Sequence, residues 1–256
     1  MRRIKLFVRR NYGYGPVLGL LSVIGGITAG YHGHPYALTF FVGIGNSLIA
    51  GGVAAFLSPV HDEMYQKFLA LGIRDMWPSR RDVPNDNWCK WLEGTSTNCT
   101  LLGVAHGEWR KDDRFESALR RCLDRRGVEV HILFLDPNSK LAESRASEEQ
   151  RDTPGTIRTS IKIIWNDVRS QLRLELRSRL HLYVYDSTPS SGATWVDDFM
   201  IVTHYLAGYP NRTSPAFKVE DLGADSLFGV FKMNIERIKG KATTVEITEE
   251  NVAKYI

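Results

Sequence analysis

From Asn11 to Val60 the chain has no Lys, Arg, Asp or Glu, although 24% of all its residues are charged. An absence that long argues against an ordinary water-facing surface, which is built largely from charged and polar side chains. The stretch divides at His32-Gly33-His34-Pro35, which has the composition of a turn. Gly15–Tyr31 and Tyr36–Ser58 on either side are apolar. As helices of roughly 17 and 23 residues, each would reach across a hydrocarbon core of about 30 Å. The expectation is a transmembrane helical hairpin over residues 1–60. Arg2, Arg3, Lys5, Arg9 and Arg10 precede it, and Lys/Arg beside a span stays in the cytoplasm. Two spans return the chain to that side, so both termini are expected to be cytoplasmic. A cleaved signal peptide fits less well, because a second apolar segment follows and no Ala-x-Ala site is present.

Cysteine is scarce. Cys89, Cys99 and Cys122 form neither a CxxC pair nor a disulfide framework, and they fit buried thiols in a reducing compartment. The seven His do not cluster, so neither a metal site nor a cofactor is expected. Excess charge of one sign is also missing beyond the basic tail. With its five cations set aside, 28 of the 33 basic residues remain against 29 acidic ones. That balance disfavours a generic nucleic-acid binder, which needs a basic face, and leaves the positive tail to meet anionic lipid headgroups.

Within the uncharged stretch, Gly15/Gly19 and Gly26/Gly30 repeat a small residue at a spacing of four, and Asn46 places an amide between apolar neighbours. Such faces let helices pack closely in lipid. They serve packing inside one hairpin or association between chains, so membrane lipids and a homo-oligomer are the expected partners.

Residues 61–84 read as a juxtamembrane helix over His61–Met76 and a linker, and residues 85–256 as one α/β domain. Asn85–Glu93 carries Trp88, Trp91 and Leu92 at helical spacing. A short strand over Thr97–Ala105, an amphipathic helix over Asp112–Arg126, Gly127, and a strand over Val128–Leu135 make a βαβ unit with a right-handed crossover. Ser139–Gly155 reads as a polar loop or a poorly formed helix start. One long helix is expected over Thr156–Arg179, then strands over Leu180–Tyr185, Val196–Tyr205 and Ala216–Glu220. A helix over Asp225–Lys239, an edge strand over Thr243–Thr248 and a final helical turn complete the chain.

This order, with Arg125-Arg-Gly-Val-Glu-Val-His-Ile-Leu-Phe-Leu-Asp-Pro137, Val196-Asp-Asp-Phe-Met-Ile-Val-Thr-His-Tyr205 and the segment Pro210–Phe217, resembles single halves of phospholipase D-like proteins over about residues 77–238. The resemblance implies a phospholipase D-like α/β/α cytosolic domain. Active members carry HxKxxxxD, a His nucleophile with a Lys that stabilises the developing oxyanion. With Asp198 as the acid, those positions fall on Ser191 and Ala193, and no His-x-Lys triplet occurs in the chain. No catalytic residue is therefore assigned.

The candidate ligand residues are Asp136, Asp197 and Asp198 at strand ends, with His106, Arg145 and Arg158 lining the same cleft. The alternative is that the three acids only satisfy turns and backbone donors. The architecture is also similar to two-transmembrane effectors of bacterial anti-phage systems. That resemblance implies an inner-membrane protein causing abortive infection. Its implied partners are a reverse transcriptase with its non-coding RNA, or a nucleotide second messenger. A membrane-anchored phosphodiesterase using His181 or His204, and a non-lytic scaffold or ligand sensor, are the rival readings.

Overall fold

The βαβ unit sets the frame of the fold. Asn98–Leu102 (β2) and Glu129–Leu135 (β3) pair in parallel, with Phe115–Asp124 (α2) as the crossover. Its buried stripe of Phe115, Ala118, Leu119, Cys122 and Leu123 explains why this segment is a helix that lies on the sheet. Gly127, at φ +82°, reverses the chain into β3. A computed structural model describes residues 20–24, 27–28, 44, 63–107, 114–206 and 211–256. The chain divides into two units, residues 1–68 and 69–256.

In the first unit, residues 20–24, 27–28 and 44 and those from 63 to the unit's end are helical. Gly15, Gly19, Gly26, Gly30 and Asn46 lie outside the described residues, as does most of the expected hairpin. Among the described residues, no helix is long and apolar enough to cross a membrane.

The second unit carries one eight-stranded sheet. Its order is β1-β7-β6-β5-β2-β3-β4-β8, with β1 Ile73–Trp77, β4 Leu180–Tyr185, β5 Ser191–Val196, β6 Phe199–His204, β7 Ala216–Glu220 and β8 Val245–Glu246. Only β2, β3 and β4 run parallel to one another; the remaining neighbours are antiparallel. The expected fold class, a transmembrane hairpin followed by a phospholipase D-like α/β/α domain, is corrected accordingly. The chain is a mixed α/β protein built on this eight-stranded sheet.

Helices cover both faces of the sheet. Asn85–Gly94 (α1) packs Trp91 edge-on against Phe199 at 5.7 Å, and Trp77, Trp88 and Trp91 surround a core of Val83, Ile201 and Ala216. Thr153–Ile163 (α4) lies on this face too, where the Ser160 hydroxyl contacts the Ala105 carbonyl at 2.6 Å. Lys140–Glu149 (α3) precedes it. On the opposite face, Leu227–Lys239 (α6) sets Phe228 edge-on to Trp195 at 5.9 Å, and Lys239 Nζ lies 3.2 Å from His131 Nδ1. Alternation along β5 and β6 therefore sends Thr194 and Thr203 to the α1/α4 face, and Trp195 and His204 to the α6 face.

Four further expectations are revised. The helix expected over His61–Met76 stops at residue 70, and β1 follows to pair with β7. The single helix expected over Thr156–Arg179 is a series of shorter pieces. α4 runs into a π turn over Ile164–Val168, a tight turn over Arg169–Gln171, an extended Leu172, and the short Leu174–Arg177 (α5). The Arg177 guanidinium takes over the freed carbonyls, donating to Ser170 at 2.7 Å and Leu172 at 3.1 Å. The strand expected over Val196–Tyr205 is found as β6 but begins only at Phe199, because Asp197 at φ +45° turns β5, which ends at Val196, into β6. Between β3 and α4, Ser139 caps α3 by accepting from the Ala142 N–H, so the segment expected to be a polar loop or a poorly formed helix start holds a regular helix.

Candidate functional site

At the carboxyl end of β2 the chain enters Gly103-Val104-Ala105-His106-Gly107, and this turn floors a cleft on the α1/α4 face. Gly103 and Val104 in the turn have definite backbone partners. The Leu133 carbonyl accepts from the Gly103 N–H at 3.1 Å and from His106 Nε2 at 3.0 Å; the Val104 N–H donates to the Tyr205 hydroxyl at 2.9 Å. The Val104 carbonyl accepts from the Leu135 N–H at 3.2 Å. A carbonyl accepts only, so His106 Nε2 carries the proton and Nδ1 keeps its lone pair. Burial, followed by the Arg80 charge, lowers the His106 pKa to about 4, against an opposing contribution from the Leu133 carbonyl. The ring is therefore neutral at pH 7.

Gly103 is required by this arrangement. A Cβ there would stand 2.9 Å from His106 Cε1, and His106 itself holds a left-handed φ of +51°. The imidazole lies flush on the backbone of the turn, with its edge against Phe134 at 5.0 Å.

The cleft opens to solvent. Arg80, Arg151 and Arg212 reach it from three separate segments, Thr156 from the first turn of α4, and Thr194 and Thr203 from neighbouring strands. Local hydrogen bonds explain how Arg80 and Arg212 come together. Ser79 accepts from the Arg81 N–H to start the turn Arg80–Asp82, and its own hydroxyl donates to the Arg212 carbonyl at 2.8 Å. The Arg80 N–H donates to the Ser214 carbonyl at 2.9 Å. Arg151 is held by an ion pair with Glu149, whose side chain is 1% exposed and which also accepts from Arg145 Nη2 at 2.5 Å. Arg145 in turn lies 5.2 Å from the centre of the Tyr205 ring, so the cleft wall is backed by a buried charge network.

The residues expected to share one cleft fall into three places. His106 lines the cleft, and Arg145 backs it through Tyr205. Asp136 and Arg158 meet instead around Asn138, past the end of β3. Asp136 accepts from the Asn138 N–H at 2.8 Å, and Arg158 donates to Asn138 Oδ1 at 2.6 Å and to the Lys254 carbonyl at 3.0 Å. Together they fasten the C-terminal segment. Asp197 and Asp198 lie in the β5–β6 turn at the amino end of β2, the end away from the cleft. Asp197 accepts from the N–H groups of Ser96, Thr97 and Asn98 and from the hydroxyls of Ser96 and Thr97, all within 3.1 Å. Burial raises its pKa, but these donors outweigh that and hold it below the usual value.

Arg80, Trp88, Arg151, Arg212, Thr194 and Thr203 were not among the residues the sequence singled out. Positions 80, 151 and 212 share no spacing, and only the sheet brings them together. A pair of stacked histidines lies across the sheet. His131 and His181 have centroids 4.8 Å apart, with Lys239 beside His131 and Glu246 Oε1 2.8 Å from His181 Nδ1. Burial, then the neighbouring Lys239 and His181, lowers His131 to about 4, with Glu129 and Glu246 opposing. Among the described residues, no group of His, Cys, Asp and Glu is arranged to hold a metal ion.

The two depressed histidines predict a pH window. An unfolded His titrates near 6.5, so between about pH 6.5 and 4 the unfolded chain binds more protons than the folded one. Stability attributable to His106 and His131 is complete above that window and falls as the pH drops through it. Thermal melts at intervals from pH 7.5 to 4 should show a falling midpoint, with a shallower slope in His106→Gln. An unchanged slope in that variant would sink the assignment to His106.

No protein-family model matches the chain, and no curated protein matches it. Among solved structures it is similar to TrmBL2, an archaeal chromatin protein described with a novel mode of DNA binding. The identity is 16% and the TM-score 0.37, over 80% of this chain and 68% of that one. It is also similar to a phosphatidylserine synthase of Haemophilus influenzae, at 12% identity and a TM-score of 0.38. That match covers 67% of this chain and 39% of the synthase.

Proposed function

We propose that the 69–256 unit is a receptor for a small phosphorylated anion, held in the cleft without covalent chemistry. The observation that carries this reading is the convergence of Arg80, Arg151 and Arg212 on one cleft with the hydroxyls of Thr194 and Thr203. Guanidinium groups present paired donors that match phosphate oxygens. The charge is local, since the chain beyond its basic tail is nearly balanced.

A hydrolase reading placed on His181 or His204 fares worse. His181 stacks on His131 beside Lys239 of α6, and His204 lies near Phe231 of α6 at 6.0 Å. Both rings are on the α6 face, across the sheet from the cleft.

Calorimetric titration of the full chain with inorganic pyrophosphate tests the proposal. Binding is expected, and Arg151→Gln should weaken it about tenfold, the loss of roughly one charge-assisted hydrogen bond. The absence of any heat at millimolar pyrophosphate would sink it. The abortive-infection output of an anti-phage effector enters as the consequence of occupancy. It is supported only by the resemblance in the sequence, and Arg151→Gln should then also relieve any growth arrest that expression causes.

A further inference from the structure

Arg151 reaches the cleft from a short, tightly fixed connection between α3 and α4. Gln150, at a left-handed φ of +50°, ends α3 and turns the chain back. The Arg151 N–H then donates to the Ala146 carbonyl at 3.1 Å, and its own carbonyl accepts from the Thr153 N–H at 2.9 Å. Its side chain stays 45% exposed, beside a Glu149 carboxylate that is 1% exposed. That carboxylate is shared. Glu149 Oε1 accepts from Arg145 Nη2 at 2.5 Å, one helical turn earlier on α3, and Oε2 faces Arg151 Nη2. Arg145 is itself buried, and its Nη1 donates to Glu148 Oε2 at 2.9 Å. Burying a carboxylate is costly unless opposite charge and hydrogen bonds meet it, and here two guanidiniums do so. Pairing within α3 alone would need only Arg145. The second oxygen is turned to a residue of the cleft.

We infer that Glu149 is a positioning residue of the anion site: its buried carboxylate fixes the Arg151 guanidinium at the cleft before any ligand arrives. This rests on the receptor reading above and adds to it a residue that touches no ligand. Glu149 engages Nη2 of Arg151, and a guanidinium has five N–H donors, so most of the fork is left for phosphate oxygens. A loose arginine loses rotamer freedom when it grips an anion; one already held loses less, and affinity rises. Two effects of Glu149 oppose each other. Its negative charge repels a bound anion, while its hold on Arg151 favours one. The hold wins, because two guanidiniums already neutralise the carboxylate and the fork must be aligned to bond phosphate well.

Calorimetric titration of the full chain with inorganic pyrophosphate, in wild type and in variants at both positions, reads the sign of that balance. Glu149→Gln keeps the shape of the side chain and removes its charge. A mere neighbouring charge would make this variant bind tighter; the positioning role makes it bind about fivefold weaker. In an Arg151→Gln background the same change should cause no weakening, since no guanidinium is left to hold. A purely structural contribution would weaken both backgrounds alike. Glu149→Asp keeps a charge for buried Arg145 but draws it back from Arg151 by one methylene, so binding about threefold weaker is expected. That variant carries the test if circular dichroism shows Glu149→Gln unfolded. Wild-type or tighter affinity in the folded variant overturns the positioning role and leaves the anion receptor standing, as does equal weakening with and without Arg151. If wild type itself does not bind pyrophosphate, the receptor reading and this inference fall together.

Discussion

Asp197→Ala is expected to lower the unfolding free energy by about 2–4 kcal/mol, measured by urea denaturation at pH 7. Its carboxylate accepts five hydrogen bonds from Ser96, Thr97 and Asn98, the residues that lead into β2. Alanine leaves three backbone N–H groups without their acceptor. It also puts a residue that disfavours left-handed backbone at φ +45°. The carboxyl is partly exposed, so water recovers some of these bonds and the lower half of the range is the better guide. Asp197→Asn tolerates the same φ and keeps one acceptor oxygen, so it should lose less than half as much. The pH sign is the reverse of a raised pKa. Asp197 titrates lower folded than unfolded, so its contribution is full above the ordinary carboxylate value and lost as pH falls through the depressed one. A wild-type loss of stability as the pH falls below the ordinary carboxylate value should therefore shrink in Asp197→Ala. An alanine variant within 0.5 kcal/mol of wild type, an order-of-magnitude bound for an ordinary surface change, would remove the anchor from the account.

Gly103→Ala is the second large effect, and it falls on ligand binding. The added methyl meets His106 Cε1 at 2.9 Å, and the ring has no free direction because Nε2 is bonded to the Leu133 carbonyl and the far edge rests on Phe134. Displacing it breaks that bond and reshapes the floor of the cleft. A stability loss of about 1–3 kcal/mol is expected for overpacking of this kind. Pyrophosphate affinity should fall about thirtyfold, more than for Arg151→Gln, since the whole turn moves rather than one donor. Calorimetry on the variant, with its folding confirmed by circular dichroism, decides the matter; wild-type affinity would mean that the turn is not part of the site.

Elements with a strong period were legible in the sequence. α2 could be read from Phe115, Ala118, Leu119, Cys122 and Leu123, and β3 from Val130 and the apolar run Ile132–Leu135 closed by Asp136-Pro137. β5 was not, because Ser191-Gly-Ala-Thr contains one β-branched residue and little apolar bulk, and its place in the sheet is set by pairing with β2 and β6 on either side. β1 was mistaken for helix since Met76 and Trp77 continue the apolar spacing of the residues before them. Gly72, at φ +84° with the Glu220 carbonyl 2.7 Å from its would-be Cβ, was the signal that the helix had ended. His106 was found because it leaves a strand next to two glycines. The arginines of the cleft were beyond reach: each sits in an unremarkable polar segment, and tertiary pairing of residues 79–80 with 212–214 is what assembles them.

The hairpin turn at Asp197 also governs chemistry at the other end of its own strands. Sliding either strand by a single residue would swap every inward side chain for its outward neighbour, trading two hydroxyls for an indole and an imidazole at the ligand's seat. The five-fold clasp at that turn is a clutch that keeps the strands in gear. Loosening it should change what the protein recognises before it changes whether the protein folds.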